Sequence, residues 1–368
     1  MRPRGGSVCT GRDGSVSASW GQGAVMREYE AEVLERYDME VKGTRKIRGA
    51  FFCDTSEGTM LLKETRISER RAFLVYVVLS RLELEWKLRV DTPVFTRDGA
   101  LLAASREGTQ YMLKRWYTGR ECDMKREMEI VSAAESLALL HERMQWDASA
   151  ERMSGLSVCP PVGRDPIEEM ERHNREMKKV RSFIRARVAK NEFEYLYLES
   201  FDKMYGLAEE VVRRLRESDA VELYRKSIED GRLVHGDYNY HNVLITPEGT
   251  AVTNFEHVRI DIQVRDLYYF IRKAMEKHHW KQKLGQKILE AYEETRRVSP
   301  MEREYIGLCL AYPEKFWKTA SSYARSNKAW LPEKSVEKLR TAVRQAEEKT
   351  AFLESLFSLD LSGRKYVS

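Results

Sequence analysis

A short polar loop between two apolar runs carries the residues of this sequence that are best suited to chemistry. Residues 233–245 read LVHGDYNYHNVLI, so that Gly236 precedes Asp237 and Asn242 follows that acid by five positions. The Asp can orient the hydroxyl proton of an attacking alcohol, and the Asn can hold a magnesium ion beside a leaving phosphate. The spacing predicts a phosphotransferase catalytic loop; the alternative is a polar turn between strands, which Gly and Asn also favour.

A lysine at the end of an apolar run is a second candidate. Lys63 closes the run MLLK at residues 60–63, where its side chain could reach the phosphates of a nucleotide. Glu69 follows in the first turn of an amphipathic helix. A Lys on a strand and a Glu on the next helix form the ion pair of a kinase-like small lobe, so Lys63 and Glu69 are a predicted pair, with Glu83 as the rival partner. The alternative is an edge-strand lysine that faces water.

Five β-like runs surround these residues and predict an antiparallel sheet. They are residues 39–48, 50–54, 59–64, 94–105 folded back at 98–99 with a marginal first arm, and 110–116, with turns at Gly49 and at 56–58. After Trp116 and Tyr117 the composition turns helical. The expected fold class is therefore α+β, two-lobed and protein-kinase-like. A five-stranded lobe over 26–119 precedes a mainly helical lobe over 120–361, and the base of ATP is expected against the crossing at Trp116 and Tyr117.

The second lobe is predicted to be built mainly from helices. Its expected elements are helices over 125–144, 166–189, 192–218 and 220–230, a linker or insertion over 154–166, and a strand over 251–255. Ser299 and Glu302 flank Pro300 in the pattern of a capping box. His141 lies on an apolar helix face, where a satisfied core residue is more frequent than a functional one.

Composition narrows the class of protein. The chain has 368 residues and a net charge of +5 from 63 basic and 58 acidic side chains, so its surface is of mixed charge and nucleic-acid binding is not expected. No apolar run approaches the roughly 20 residues of a membrane helix, so no membrane insertion is expected. Five scattered cysteines fit a reducing cytosol. Residues 1–25 are expected to be a disordered extension and 362–368 a tail; Met26 is an alternative start.

The loop, the sheet and the order of the parts together resemble the aminoglycoside phosphotransferase and choline kinase superfamily, and within it the CotS family of spore coat proteins. The resemblance extends over about residues 29–357. His235-Gly236-Asp237 with Asn242 is common to the superfamily. The other motifs that carry it are LKRWYTGRECD at 113–123, RIDIQVRDL at 259–267, YPEKFW at 312–317 and NKAW at 327–330.

This resemblance implies roles for individual residues. Asp237 takes the position of the catalytic base, Asn242 a magnesium position and Lys63 the position that contacts nucleotide phosphates. His235 and Asp266 are structural, with Asp266 bracing the catalytic loop. The resemblance further implies Mg²⁺ and ATP as cofactors, other spore coat proteins as partners, and a location in the mother-cell cytoplasm and then the spore coat.

One position departs from the superfamily pattern. Where the superfamily places a magnesium-binding Asp, in a run like Ile-Asp-Phe-Asp, this chain has Thr253-Asn254-Phe255-Glu256. An amide oxygen can coordinate magnesium but adds no charge, and Glu256 would share a face with Asn254 on a strand. Two hypotheses follow: a coat protein whose phosphotransferase fold is weakened or silent, or an active Mg-ATP-dependent phosphotransferase with an unidentified hydroxyl acceptor.

Overall fold

The structure is a computed structural model that describes residues 28–47, 50–147, 158–325 and 333–360. Its small lobe consists of two helices and a five-stranded sheet. These elements are α1 (Glu28–Leu34), β1 (Val41–Ile47), β2 (Ala50–Thr55), β3 (Gly58–Glu64), α2 (Glu69–Trp86), β4 (Ala103–Ala104) and β5 (Gln110–Arg115). The strand order is β1-β2-β3-β5-β4 and every pair is antiparallel. The predicted sheet is therefore confirmed.

The predicted 94–105 hairpin contributes less to the sheet than expected. Only β4 forms a strand: in the first arm the backbone N–H of Val94 donates to the carbonyl of Leu113 at 2.9 Å, but that of Thr96 already turns back to the carbonyl of Ala100 at 2.8 Å. Pro93, which has no N–H to donate, makes one isolated bridge to Lys114. The arm expected to be marginal thus forms no strand of its own.

The buried residues described in the small lobe belong to three hydrophobic clusters. One face of the sheet packs against α1 in a cluster that includes Tyr37, Met60 and Leu113. Helix α2 begins at Ser68, whose hydroxyl accepts the backbone N–H of Arg71 at 3.3 Å. Most of its buried face packs into the main core with the helices that follow, whereas Ala72 joins a small third cluster with Leu101, Leu102 and Met112 of β5. The α2 residues in the main core are Leu74, Val75, Val78, Leu79 and Leu82.

The large lobe is mainly helical, as predicted. Its helices are α3 (Glu127–Arg143), α4 (Pro166–Ala186), α5 (Glu192–Glu217), α6 (Ala220–Glu229), α7 (Val264–Met275), α8 (Gln282–Glu293), α9 (Pro300–Ala311), α10 (Glu314–Arg325) and α11 (Glu333–Phe357). The predicted capping box starts α9, since the Ser299 hydroxyl accepts from Glu302 N at 3.2 Å and the Glu302 carboxylate accepts from Ser299 N at 2.9 Å. A second box, formed by Asn191 and Glu194, starts α5.

Short strands frame the polar loop. They are β6 (Arg120–Glu121), β7 (Leu233–Val234), β8 (Val243–Thr246), β9 (Gly249–Val252) and β10 (Arg259–Ile260), paired as β6-β8-β9 and β7-β10. The strand predicted to reach Phe255 ends at Val252. Asn254 instead adopts a left-handed backbone with φ of 70° and precedes a 3-10 turn at Phe255–His257. The expectation that Asn254 and Glu256 share a strand face is wrong.

Several expectations fall on other parts of the chain. The extension 1–25, the Gly49 turn, the NKAW motif at 327–330 and the tail 362–368 lie outside the described residues, as does the start of the 154–166 segment. Within the described ranges, no helix combines the length and apolarity needed to cross a bilayer. The cysteines described there, Cys53, Cys122, Cys159 and Cys309, are free thiols.

Candidate active site

The turn after β7 depends on a glycine. Gly236 has φ of 83°, in the left-handed region that side chains rarely adopt. A Cβ at this position would overlap the carbonyl oxygen of His257 and lie 2.5 Å from Nη1 of Arg259. Only glycine therefore lets the chain turn here while β10 and the residues before it pack directly against it.

A buried carboxylate holds the backbone of this turn. Oδ2 of Asp266 accepts the N–H of His235 at 2.6 Å and Oδ1 accepts the N–H of Gly236 at 3.0 Å. The Nε2 atom of His141 lies 3.5 Å from Oδ2, and its Nδ1 lies 2.6 Å from the Tyr292 hydroxyl. Burial lowers the pKa of His141, so the ring is neutral. Asp266 thus fixes the two residues that immediately precede Asp237.

His235 orients the loop from inside. Its Nε2 donates to the carbonyl of Thr253 at 2.9 Å, and its Nδ1 accepts the N–H of Asp237 at 3.1 Å. Burial lowers the pKa of His235, which favours the neutral ring that these two bonds require. The imidazole therefore links the loop to the segment after β9.

Two amides hold the carboxylate of Asp237. Nδ2 of Asn239 donates to Oδ1 at 3.0 Å, and Nδ2 of Asn242 donates to Oδ2 at 3.1 Å. Because the nitrogen of Asn242 serves Asp237, its amide oxygen is the atom left to face a cation. Asn239 was not among the predicted site residues, although an amide two positions after an acid is a common turn pattern that indicates such a bond.

The segment after β9 is bound to a buried lysine that sequence reasoning missed. Nζ of Lys114 lies 3.2 Å from Oδ2 of Asp91 and 3.3 Å from Oε1 of Glu256, and the lysine side chain is 1% exposed. Oδ2 of Asp91 also accepts the backbone N–H of Asn254 at 2.8 Å. Burial alone would lower the pKa of Lys114, but the two carboxylates outweigh it and raise the pKa above its ordinary value. The one carboxylate near Asn254 proposed as a metal ligand is thus paired with a protein cation.

The predicted ion pair between Lys63 and Glu69 is not formed. Glu69 instead accepts the backbone N–H of Leu102 at 3.1 Å, and the rival Glu83 pairs with Arg115 at 3.5 Å. Strand pairing places Lys63 opposite Met112 and Leu61 opposite Lys114. Since side chains alternate along a strand, half-buried Lys63 lies on the same sheet face as Lys114.

The side chain of Arg71 attaches helix α2 to the large lobe. Nε and Nη2 of Arg71 donate to the carbonyl of Glu256 at 3.0 and 2.8 Å, and Nη2 also donates to the carbonyl of Val258 at 2.5 Å. Burial and then the charge of Arg259 lower the pKa of Arg71. These bonds join α2 to the segment after β9, whereas the predicted pair of Lys63 and Glu69 would join two elements of the small lobe.

The crossing between the lobes presents aromatic rings. The backbone N–H of Trp116 donates to the carbonyl of Thr59 at 2.9 Å. The indole ring of Trp116 meets the ring of Phe52 edge to face, with 5.8 Å between the ring centroids. The Tyr117 hydroxyl donates to the carbonyl of Val90 at 3.1 Å. Both predicted crossing residues are half-buried.

The side chains at the predicted cofactor positions suit a nucleotide better than a magnesium ion. Magnesium prefers carboxylate oxygens and water. The candidate positions offer the amides Asn242 and Asn254 and a Glu256 already bound to Lys114. In the described part of the chain, no group of three or more His, Cys, Asp or Glu side chains is placed to hold a metal. The aromatic crossing and Lys63, in contrast, are groups that suit a base and its phosphates.

Comparisons with known proteins identify the family and the fold of the chain. Residues 30–356 match the family described as "Spore coat putative kinase YutH". No curated protein sequence matches the chain.

Solved structures share the fold at low sequence identity. An aminoglycoside phosphotransferase from Alicyclobacillus acidocaldarius is 18% identical with a TM-score of 0.77, over 92% of this chain and 97% of that one. Spectinomycin phosphotransferase APH(9)-Ia bound to AMP is 13% identical with a TM-score of 0.58, over 88% and 99%. Amicoumacin kinase hAmiN in complex with AMP-PNP and Ca²⁺ is 12% identical with a TM-score of 0.57, over 87% and 92%.

Proposed function

The chain belongs to the YutH family of spore coat proteins with a kinase-like fold, and from this premise we propose that it is a coat component whose cleft binds a nucleotide but transfers phosphate weakly or not at all. The supporting observation is the buried bridge from Lys114 to Glu256. It places a protein cation on the only carboxylate of the run Asn254-Phe255-Glu256.

The loss of metal-binding charge is the physical basis of this proposal. Removing support from a metal site typically lowers affinity or activity by roughly 10- to 100-fold, and replacing a direct carboxylate ligand costs at least as much. Here Asn254 supplies an amide, and Glu256 is bound to Lys114, whose single positive charge it shares with Asp91. Binding of a nucleotide through Trp116, Tyr117 and Lys63 remains compatible with this arrangement. Nucleotides bound to the spectinomycin and amicoumacin enzymes support that part of the proposal.

A second function is favoured by the loop itself. Asp237 is oriented by Asn239 and Asn242, and Asp266 fixes the backbone before it. This geometry suits a base that orients an alcohol for attack on the γ-phosphate. An active phosphotransferase that acts on a hydroxyl group is therefore the alternative, with Asp237 as the base.

Calorimetric titration with ATP, with and without magnesium, separates these functions. We expect the wild-type protein to bind ATP with an affinity that magnesium changes little. Asn254→Asp, which keeps a residue type tolerated at positive φ, should gain a magnesium-dependent increase of about 10- to 100-fold. Asn191→Asp adds the same charge at a remote helix cap and should change nothing.

Measurements of ATP turnover and of the protein's location in spores test the remaining parts of the proposal. Magnesium-dependent ATP turnover that Asp237→Ala abolishes would establish the active enzyme and overturn the weakened one. Absence of any nucleotide binding, in the wild type and in Asn254→Asp alike, would remove the nucleotide from the proposal. Coat assembly is checked by fractionating spores: recovery outside the coat layer would contradict the role as a coat component with coat proteins as partners.

A further inference from the structure

A cavity of about 250 Å³ opens beside the catalytic loop in the large lobe. Helices α4, α7, α9 and α10 form most of its wall, and Gly236 and Arg259 form the end nearest Asp237. Among the described residues that line it, neither Lys63 nor Asn242 appears, so the cavity does not include the positions proposed for the nucleotide phosphates and magnesium. It is smaller than the roughly 300–1,000 Å³ of sites for drug-sized ligands and therefore suits a small molecule or a single group.

The carboxylates in this wall are already occupied. Glu169 binds Arg265 at 2.6 Å. Glu314 accepts from the Tyr268 hydroxyl and binds Arg272 at 3.3 Å and Lys318. Asp266, the third wall carboxylate, accepts two backbone N–H groups of the loop. Each carboxylate in the wall thus already has a partner within the protein.

The lining of the cavity contains four basic side chains, Arg172, Arg259, Arg265 and Lys318, against the three carboxylates named above, and Arg259 lies at the end nearest Asp237. Nε of Arg259 lies 2.9 Å from Oδ2 of Asp261, and Arg265, which binds Glu169, shares that Asp261 oxygen through Nη1 at 3.2 Å. Arg71 donates only to the carbonyls described above, and the nearby Glu256 is held by Lys114. Arg71 and Arg259 are close enough that the charge of Arg259 lowers the pKa of Arg71, after the larger effect of burial.

We propose that this end of the cavity binds the phosphate or carboxylate group of a small alcohol, with Arg259 in contact with the oxyanion and Arg71 as the positioning residue behind it. A guanidinium offers several donors in a plane that matches such oxyanions. The inference rests on the proposed function in one respect: it takes this cavity as the place where the hydroxyl compound that accepts the phosphoryl group would bind. It assigns an anionic ligand class to a site whose acidic groups are all bound.

The test uses the full-length protein and inorganic phosphate as the probe, followed by the ³¹P line width, with and without saturating ADP. Tetramethylammonium and glycerol, followed by thermal shift, represent cationic and neutral ligands. We expect phosphate to bind in both states and the other two probes to have no effect. Arg259→Gln should weaken phosphate binding about tenfold or more, and Arg259→Lys should weaken it less.

The matched control is Arg185→Gln, an exposed arginine on α4 about 18 Å along the helix from the cavity residue His173. It should leave phosphate affinity unchanged. Asp261 keeps Arg265 as a partner in Arg259→Gln, so that variant should fold. The inference would be overturned if tetramethylammonium or glycerol stabilised the protein against heat while phosphate did not bind. Phosphate binding that survives Arg259→Gln would overturn it as well.

A third result would assign the anion to the nucleotide instead. If ADP displaces phosphate, and Lys63→Met rather than Arg259→Gln abolishes its binding, the phosphate occupies the nucleotide site and the inference is wrong. ADP binding is measured separately in the same samples. Loss of ADP binding contradicts the proposed function without touching the phosphate result in the ADP-free state.

Discussion

Nζ of Lys114, on β5, lies 3.3 Å from Oε1 of Glu256 in the segment after β9. The contact joins the sheet of the small lobe to the residues beside the catalytic loop, and Asp91 completes it at 3.2 Å. Because the lysine side chain is 1% exposed, its buried ammonium group compensates the negative charges of Asp91 and Glu256. The cleft thus contains a fixed internal cation on the face that also carries Lys63.

Lys114→Met should destabilise the protein strongly. Removing one partner of a buried charge cluster leaves the others unpaired, and we expect the free energy of unfolding in urea to fall by about 3–5 kcal/mol. Adding Glu256→Gln should recover part of that loss, because one orphaned charge is then removed. Lys63→Met on the same sheet face is the control and should cost under about 1 kcal/mol. A loss from Lys114→Met as small as that of the control would contradict this account.

Gly236→Ala and Gly99→Ala separate backbone strain from crowding. Both glycines have positive φ, 83° and 78°, but only Gly236 has neighbours within reach of an added Cβ. We expect Gly99→Ala to cost about 1 kcal/mol from conformation alone and Gly236→Ala about 3 kcal/mol, since the clash adds to the strain. Equal losses in urea unfolding would mean that β10 can move away from the loop.

Lys63 and Glu69 should respond independently in nucleotide binding. Because Glu69 bonds to the backbone of Leu102 and forms no ion pair with Lys63, Glu69→Gln should change ADP affinity less than about twofold. Lys63→Met removes a charge proposed to face the phosphates and should weaken ADP binding about tenfold. Calorimetry on the two single variants and the double variant measures their coupling. A coupling of more than about 1 kcal/mol would show that the pair forms when nucleotide is bound.

Glu314 should make stability depend on acid pH. Burial would raise its pKa, but Arg272, Lys318 and the Tyr268 hydroxyl lower it to about 2. The unfolded value is about 4.3, so the stabilisation, about 3 kcal/mol, is complete above that pH and is lost as the pH falls toward 2. The stability difference between wild type and Glu314→Gln should therefore shrink between pH 5 and pH 2. The exposed Glu135→Gln should show no such trend; a constant difference for Glu314→Gln would argue against ionisation as the cause.

Local patterns made much of the fold predictable. Alternation and Gly-containing breaks located the strands, three- and four-residue steps located the helices, and Ser299 with Glu302 marked the start of α9. The spacing in 233–245 located the loop, since Gly236, Asp237 and Asn242 act within a few residues of one another. Such features depend on near neighbours in the chain, which is why one sequence suffices to find them.

The contacts across the cleft were not predictable in the same way. Lys114 looked like part of an apolar strand, and its partners Asp91 and Glu256 lie 23 and 142 residues away. The sequence pattern predicts an ion pair between Glu69 and Lys63, but the Glu69 carboxylate accepts the backbone N–H of Leu102 instead. The end of β9 and the turn at Asn254 depend on the bond to Asp91, which no local pattern contains. The roles proposed for the site residues, and the lobe boundary at 119, stay predictions.

The attachment of α2 has a mechanical consequence. Its apolar face belongs to the core of the large lobe, and Arg71 fastens its first turn to the carbonyls of Glu256 and Val258. Because Ala72 of α2 also packs with Met112 of β5, and Glu69 accepts the N–H of Leu102, the helix couples the sheet to the large lobe. A separation of sheet from helices must therefore break the contacts of α2 on one side or the other. It must also pull the ammonium of Lys114 away from Glu256.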